Sequence, residues 1–224
     1  SSGVSIPFRE VAAFMLRMRS FVHLAMAAAL HALYGYGAAA FNPSFYRRVH
    51  EMETGELGSY LAAVSFFAGV SGTYLGGALT DRFGRSDARW FVWVPGIATF
   101  AGIPFVVVTY LVADPYVSLL VYCGATLCGS MYYGPTFALT QSLVPPQMRA
   151  QAAALLLLII NLIGLGLGPQ FVGWLSDRLA DQYAHESIRY SLLFTITVGA
   201  VWASFHYQRS AVTLREDLRA QERL

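Results

Sequence analysis

Hydrophobic residues along this chain form six long runs, separated by short segments that contain prolines or several charges. Each run holds at least about 20 predominantly apolar residues, the length that an α-helix needs to cross the hydrocarbon core of a bilayer. A helix pairs its own backbone groups, whereas an isolated strand leaves them unpaired in lipid, so the runs are predicted to be transmembrane helices. The predicted spans are Phe21–Phe45, Leu57–Thr80, Trp90–Ala113, Tyr116–Val144, Gln151–Ser176 and Ser187–Tyr207.

Helix-breaking pairs lie where these spans are expected to stop. Asn42-Pro43 is predicted to end the first span, Asp114-Pro115 separates the third from the fourth, and Pro145-Pro146 separates the fourth from the fifth. The fold class is therefore predicted to be all-α, a polytopic membrane protein with a six-helix bundle over residues 20–208.

The segments outside the bundle have a different pattern. Residues 1–19 include a short amphipathic stretch, Pro7 to Arg19, with an apolar stripe at helical spacing. We expect a helix in the plane of the membrane surface, and a soluble linker helix is the alternative. Residues 209–224 alternate in charge sign and are predicted to form a cytoplasmic tail, as a solvated helix. The stripe consists of Phe8, Val11, Ala12, Met15 and Leu16.

Composition agrees with a membrane location. Hydrophobic residues make up 56% of the chain and charged residues only 12%, about half the charged fraction of a typical soluble domain. The net charge of +2 provides no large basic surface, which argues against a nucleic-acid partner. The lipid bilayer is the expected environment.

Arginine positions predict the orientation. All 15 basic residues are arginines, and cytoplasmic loops of membrane proteins are enriched in such residues. With a cytoplasmic N-terminus, eleven arginines lie on the cytoplasmic side and four, Arg47, Arg48, Arg178 and Arg189, lie outside. We therefore expect both termini in the cytoplasm, and we expect a multi-pass protein of a bacterial inner (plasma) membrane.

An internal repeat links the second and fifth spans. Gly77-Ala-Leu-Thr-Asp-Arg82 ends one, and Gly173-Trp-Leu-Ser-Asp-Arg178 ends the other. Because three spans separate the two copies, they fall on opposite sides of the membrane. This arrangement predicts a 3+3 inverted repeat, which is common among secondary transporters.

The first copy resembles a known signature. The sequence Gly77-Ala-Leu-Thr-Asp81-Arg82-Phe-Gly84-Arg85 is similar to the loop motif of the major facilitator superfamily, and the resemblance covers essentially the whole chain. Residues 134–177 are similar to the corresponding region of spinster-like members of this superfamily. The similarity rests on the stretches Leu143 to Arg149, Asn161 to Pro169 and Gly173 to Asp177. The family has twelve helices, so the six spans correspond to helices seven to twelve. The resemblance then implies a partner, an N-terminal six-helix half.

The resemblance also implies a cytoplasmic gate. Its residues are Gly77, Asp81, Arg82, Gly84 and Arg85, together with Arg149 at the start of the fifth span, which receives an aspartate of the other half. The alternative is a positive-inside topology anchor without a switching role.

Polar and aromatic residues inside the spans are candidates for a substrate cavity. Lipid penalises such groups, so we expect them to face protein or a water-filled cavity. The resemblance places the first, second, fourth and fifth spans around that cavity, and these spans carry the candidates. Hydrogen bonding between helices is the alternative role for each one. They are His31, Tyr34, Tyr60, Phe67, Ser71, Tyr74, Tyr122, Thr126, Ser130, Tyr133, Phe137 and Asn161.

Titratable groups are scarce in the spans. Asp, Glu and Arg are absent from their middles, and only His23 and His31 can titrate there. If transport is coupled to protons, we expect the coupling carboxylates in the other half. An apolar and aromatic wall suits an amphiphilic substrate, and spinster-like members are associated with lysolipids and sphingoid phosphates.

Four functional classes compete at this stage. A secondary active transporter that works by alternating access explains the repeat and the loop motif, with a polar organic anion or a drug as a second substrate class. An enzyme lacks support, because the spans hold no metal-ligand cluster, cofactor fingerprint or nucleophile with a base. A non-transporting scaffold does not need the repeat, and a channel lacks a filter-like loop.

Overall fold

The structure is a computed structural model that describes residues 6–221. Residues 1–5 of the predicted surface segment and residues 222–224 of the predicted tail, including Arg223, lie outside the described residues. The described part is helical and contains no strand, which confirms the predicted all-α class. Its helices are α1 (Phe8–Arg17), α2 (Arg19–Val49), α3 (Thr54–Gly84), α4 (Trp90–Ala101), α5 (Ile103–Leu111), α6 (Pro115–Ser130), α7 (Tyr133–Ser142), α8 (Arg149–Ile160), α9 (Gly166–Tyr183) and α10 (Ser187–Gln221).

Among residues 6–221, four helical segments are long and apolar enough to cross a membrane by length and composition. The last one is 76 residues long and reverses at Ala184, whose φ of 48° ends α9 before α10 begins. α9 and α10 then pack side by side, and the Ser191 hydroxyl donates to the Val172 carbonyl over 2.6 Å. The count of six spans and the inverted repeat remain predictions. The four segments are Arg19–Val49, Thr54–Gly84, Trp90–Leu111 and Pro146–Gln221.

α2 and α10 form the centre of the bundle. At one end of this pair the Ser20 amide donates to the Asp217 carboxylate at 2.9 Å, and the Ser210 hydroxyl donates to the Ser20 carbonyl at 2.8 Å. The start of α2 and the last turns of α10 therefore lie at the same end of the bundle. α10 continues unbroken to Gln221, so the segment predicted as a tail is an extension of the last helix, with Leu214 fully buried.

The expectation that Asn42-Pro43 ends the first span is wrong, because α2 continues to Val49. A proline in the interior of a helix destabilises that helix by about 3 kcal/mol, but tertiary packing offsets this loss in α2. Asn42 is held by hydrogen bonds to two neighbouring helices, and Phe45 and Tyr46 beyond it are fully buried.

Three other predicted spans are interrupted. Gly102 separates α4 from α5, and Met131 and Tyr132 separate α6 from α7. Pro104 and Pro135 lie in the first turns of α5 and α7, where a missing N–H breaks no helical hydrogen bond. A π-helical turn, Asn161–Leu165, joins α8 to α9. These breaks bend the helices around the interior of the bundle.

Small residues bring two pairs of helices into backbone contact. A Cβ on Gly72 or Gly76 of α3 would collide with the carbonyls of Leu127 and Met131 on the α6 side. Gly168 of α9 lies equally close to the Leu33 carbonyl of α2. Such contacts allow close packing without a hydrophobic driving force between helices.

α1 is amphipathic, and it also packs against the bundle. Val11 and Met15 are fully buried, whereas Phe8 and Leu16 remain exposed. The Gln151 amide near the start of α8 donates to the Ile6 carbonyl at 2.8 Å. The predicted apolar stripe is therefore divided between the protein core and the outer surface.

Candidate functional site

A cavity of about 760 Å³ opens between α2, α3, α4–α5 and α6, and α10 forms part of its back wall. Its walls are made of aromatic, small and apolar side chains with several hydroxyl groups. Within residues 6–221 no Asp, Glu or Arg lines it. Such a cavity can hold a largely apolar molecule that presents a few hydrogen-bonding groups.

Seven of the twelve predicted cavity residues lie on its wall. They come from α2, α3, α6 and the start of α7, and their side chains supply half of the hydroxyl groups on the wall. The seven are His31, Tyr34, Tyr74, Tyr122, Thr126, Ser130 and Tyr133.

Five predicted residues lie elsewhere. Ser65 and Gly69 of α3 line the cavity, and Phe67 is two positions from each of them. Phe67 therefore lies on the other side of α3, where its side chain is 68% exposed. Ser71 is exposed on the same helix, and Tyr60 packs its ring edge against Tyr116.

The other two of the five belong to α7 and to the π-helical turn. Phe137 packs against the large core cluster at the α1 end of the bundle. Asn161 is exposed, and its amide donates to the Leu157 carbonyl at 2.9 Å. No described residue from α8, the π-helical turn or α9 lines the cavity.

α4, α5 and α10 contribute wall residues that the sequence analysis did not select. Thr99 and Val106 face the cavity from one side and Ile196 from the other. The cavity therefore extends into the helical bundle, past the spans that the family resemblance assigns to it. Apolar residues in an apolar span carry no signal that separates cavity wall from core, so the pattern could not identify them.

A buried amide organises the end of the cavity far from α1. Asn42 donates to the Tyr122 hydroxyl at 2.8 Å and accepts from the Tyr110 hydroxyl at 2.7 Å. Nearby, the Tyr46 and Ser118 hydroxyls are 2.9 Å apart. Fully paired polar groups in a low-dielectric interior fix one arrangement of the helices that carry them. Asn42 was missed because its pairing with Pro43 was interpreted only as a helix break.

One histidine, His31, is among the described residues that line the cavity. It is 4% exposed, and its Nδ1 lies 2.7 Å from the Tyr34 hydroxyl and 3.3 Å from Thr99 Oγ1. Its ring stacks on Tyr132 with the centroids 4.0 Å apart. These contacts hold a nitrogen base at the centre of a cluster of hydroxyl groups.

The predicted gate residues lie at the α1 end of the bundle. Asp81, Arg82 and Arg85 are exposed, as is Arg149 at the start of α8, and within residues 6–221 none of the four forms a salt bridge. Gly77 has open space beside it, and Gly84 lies against the Phe91 ring. The motif therefore presents free charges at the surface.

Asp87 instead makes the ionic contact of this region. Its carboxylate lies 2.8 Å from Arg89 and 2.7 Å from Arg215 near the end of α10. The hydrogen bond from Arg89, followed by the bond and charge of Arg215, holds the pKa of Asp87 well below its usual value. The pair fixes the α3–α4 loop to α10, and sequence spacing gave no indication of Arg215.

Comparison with known proteins identifies the family. The family model of the Major Facilitator Superfamily matches residues 3–169, most of the chain. This chain belongs to the Major Facilitator Superfamily. The family is one of membrane transporters, and the apolar helices of this chain are those of an integral membrane protein.

Two relatives agree with the predicted spinster-like resemblance and with transport. An MFS-type efflux pump of Mycolicibacterium smegmatis is 32% identical over 205 residues, which cover 88% of this chain and 48% of that protein. A bacterial homolog to the human lysosomal transporter Spinster, solved in an inward-facing and unoccupied conformation, superposes with a TM-score of 0.84 at 26% identity. That match covers 94% of this chain and 51% of the other.

The same Spinster homolog in an inward-facing and occupied conformation superposes less closely. Its TM-score is 0.77 at 28% identity, over 96% of this chain and 53% of that one. The chain spans about half the length of the relatives that it matches.

Proposed function

We propose that this chain is the C-terminal six-helix half of a secondary active transporter that moves a small amphiphilic or lipid-like molecule by alternating access. The observation that carries the proposal is the cavity, with aromatic and apolar walls and no charged residue among those described. A cavity of this kind stabilises a hydrocarbon segment by excluding water, and its hydroxyl groups orient a polar head.

The proposal includes a partner six-helix half on the open side of the cavity. Tyr74 and Tyr133 line the cavity yet are 73% and 45% exposed, so the wall is incomplete at α3 and α7. The gate residues Asp81 and Arg149 are also exposed without an ionic partner among residues 6–221. Free charges at one end and an open wall are features that a second half can complete.

Coupling to protons and a cytoplasmic location of both chain ends belong to the same proposal. The described ends meet at one end of the bundle, where Ser20 contacts Asp217, as two cytoplasmic termini require. The proposed transport requires no metal or cofactor, because an ion gradient alone can drive alternating access.

A second candidate is export of a drug-like molecule. The relative from Mycolicibacterium smegmatis carries the name efflux pump, and aromatic, flexible cavities accept chemically different ligands. Export and import of amphiphiles use the same cavity, so the two candidates differ in substrate and direction rather than in mechanism.

Transport into proteoliposomes tests the proposal. The transporter, purified with any segment or subunit that accompanies this chain, is reconstituted and given radiolabelled lysophosphatidylglycerol, an anionic lysolipid, under an imposed pH gradient. We expect uptake that a protonophore abolishes. Tyr133→Ala is expected to lower the rate at least about tenfold, because an aromatic wall contact is lost.

Tyr116→Ala serves as the matched control, since Tyr116 is 53% exposed and does not line the cavity. Equal loss in both variants would contradict the role of the cavity. Uptake that ignores the protonophore would remove proton coupling and leave the substrate assignment intact. An intact mass near twice that of the chain, measured on the purified material, would support a covalently joined partner half.

A further inference from the structure

We propose that His31 takes up a proton when an anionic amphiphile binds in the cavity, so that the proton and the anion are carried together. The inference rests on the amphiphilic substrate of the proposed function. It adds two things, namely the negative charge of the head group and the residue of this chain that responds to it.

The hydrogen bonds of His31 define its uncharged state. On one side the ring faces Gly129 of α6. The Tyr34 hydroxyl lies 2.7 Å from Nδ1 and 3.2 Å from Nε2. An uncharged imidazole has one donor and one acceptor nitrogen. In the tautomer that carries its hydrogen on Nε2, Nδ1 accepts the hydrogen of Tyr34.

Protonation of Nδ1 reverses this hydrogen bond. The new N–H then donates to the Tyr34 oxygen, and the Tyr34 O–H must turn elsewhere. Tyr34 and Thr99 both lie on the cavity wall, so a hydroxyl hydrogen becomes free to point into the cavity. Proton uptake therefore adds a positive charge and a hydrogen-bond donor at the same place.

Nothing described around His31 can neutralise that charge. The groups packed against it from the neighbouring elements are uncharged: Tyr34 of α2, Thr99 of α4, Tyr132 before α7 and, beyond Tyr34, Tyr207 of α10. Among residues 6–221, no carboxylate or guanidinium lines the cavity. An isolated charge in such surroundings is strongly unfavourable.

The missing counter-charge couples the two ligands. A proton at His31 is stabilised by an anionic head group in the cavity, and the anion is stabilised by the proton. By linkage, each raises the affinity for the other by the same factor. A zwitterionic or uncharged head group does not provide this stabilisation to the same extent. Selectivity for anions therefore appears only at a pH that allows protonation.

The pH dependence of binding tests this coupling. The probe is decanesulfonate, whose charge is constant with pH, and the comparison ligand is a zwitterionic decyl sulfobetaine with the same chain. Affinities are measured on the purified transporter in lipid nanodiscs, from about pH 5.5 to about pH 8, the range in which histidine titrates. For one linked proton, the affinity for decanesulfonate is expected to rise by up to about tenfold per pH unit on acidification.

Two variants identify the proton site. His31→Gln keeps a hydrogen-bonding side chain of similar length and is expected to make decanesulfonate binding independent of pH. His23 is the other histidine of α2 and lies outside the cavity, so His23→Gln is expected to retain the pH dependence of the original protein. Unchanged binding of the sulfobetaine by His31→Gln shows that the variant is folded.

Three results would overturn the inference. The first is an undiminished pH dependence in His31→Gln, and the second is the same dependence for the sulfobetaine, which would indicate a fixed carboxylate partner. The third is pH-independent binding of decanesulfonate by the unaltered protein, which leaves the proposed function intact. Failure of both ligands to bind would instead overturn the amphiphilic substrate itself, together with this inference.

Discussion

α2 and α3 are both 31 residues long and about equally apolar, yet they occupy opposite environments. In the most apolar window of α2, 61% of the residues are buried, against 22% in that of α3. α2 packs against α8, the π-helical turn, α9 and α10, whereas the buried residues of α3 form one narrow stripe from Leu57 to Thr80. Equal hydropathy therefore says nothing about which helix is the core.

The two helices also use polar groups differently. Asn42 and His31 of α2 are buried and paired with side chains from other helices. Thr73 of α3, by contrast, is exposed and donates to the Gly69 carbonyl one turn earlier on the same helix. The comparison indicates that α2 is a fixed support and that α3 presents a surface to the cavity and to whatever lies beyond it.

The largest expected loss of stability comes from a larger side chain on the face of α3 that packs against α6. Gly76→Leu would drive a side chain into the Met131 carbonyl, and overpacking of this kind costs about 3 kcal/mol. Gly58→Leu, on the same helix with open space around it, is the control and is expected to cost less than about 0.5 kcal/mol.

SDS-induced unfolding of the purified protein measures both variants. Equal destabilisation by the two leucines would mean that α3 is not held by its backbone contact with α6. Retention of full stability by Gly76→Leu would contradict the close approach itself.

A smaller loss is expected from removal of the buried amide of α2. Asn42→Leu leaves the Tyr110 and Tyr122 hydroxyls without their partner, at a cost of about 2 kcal/mol. Asn161→Leu, an exposed amide that mainly bonds to its own helix, is expected to change the free energy of unfolding little. Thermal unfolding in detergent compares them, and the reverse order of the two losses would contradict the assigned roles.

The ion pair at the α1 end should have the smallest effect. Asp87→Asn is expected to cost about 0.5 kcal/mol, because Arg215 is 52% exposed and water screens the pair. Asp81→Asn, which removes an aspartate without a salt bridge among residues 6–221, is the control in the same unfolding measurement.

Unfolding at acid pH tests whether charge is responsible for the effect of Asp87→Asn. The arginines lower the pKa of Asp87 in the folded state, so the pair contributes its full stability above the usual Asp value of about 3.9. The contribution is lost as the pH falls through the lowered pKa. Unfolding curves recorded below about pH 4 should therefore converge for the unaltered protein and Asp87→Asn. A constant difference down to acid pH would show that charge is not involved.

Sequence reasoning identified the helices and much of the cavity because both leave periodic signals. Tyr122, Thr126 and Ser130 recur one turn apart on α6, and all three line the cavity. It failed for Phe67, since the same helical spacing fits more than one face of α3 and only packing against α6 fixes the rotation. Asn161 was also selected for its polarity, yet it bonds to its own helix and stays outside the cavity.

Long apolar runs, prolines and the Gly77 to Arg85 motif determined the helical class and the family, because these depend on local composition and spacing. Tertiary structure alone decided that α2 passes through Pro43, that Asp87 pairs with Arg215 across 128 positions, and that α5 and α10 line the cavity. Each of these depends on contacts between residues far apart in the chain. Their free energy comes from the packed arrangement of the helices and leaves no mark in the local pattern.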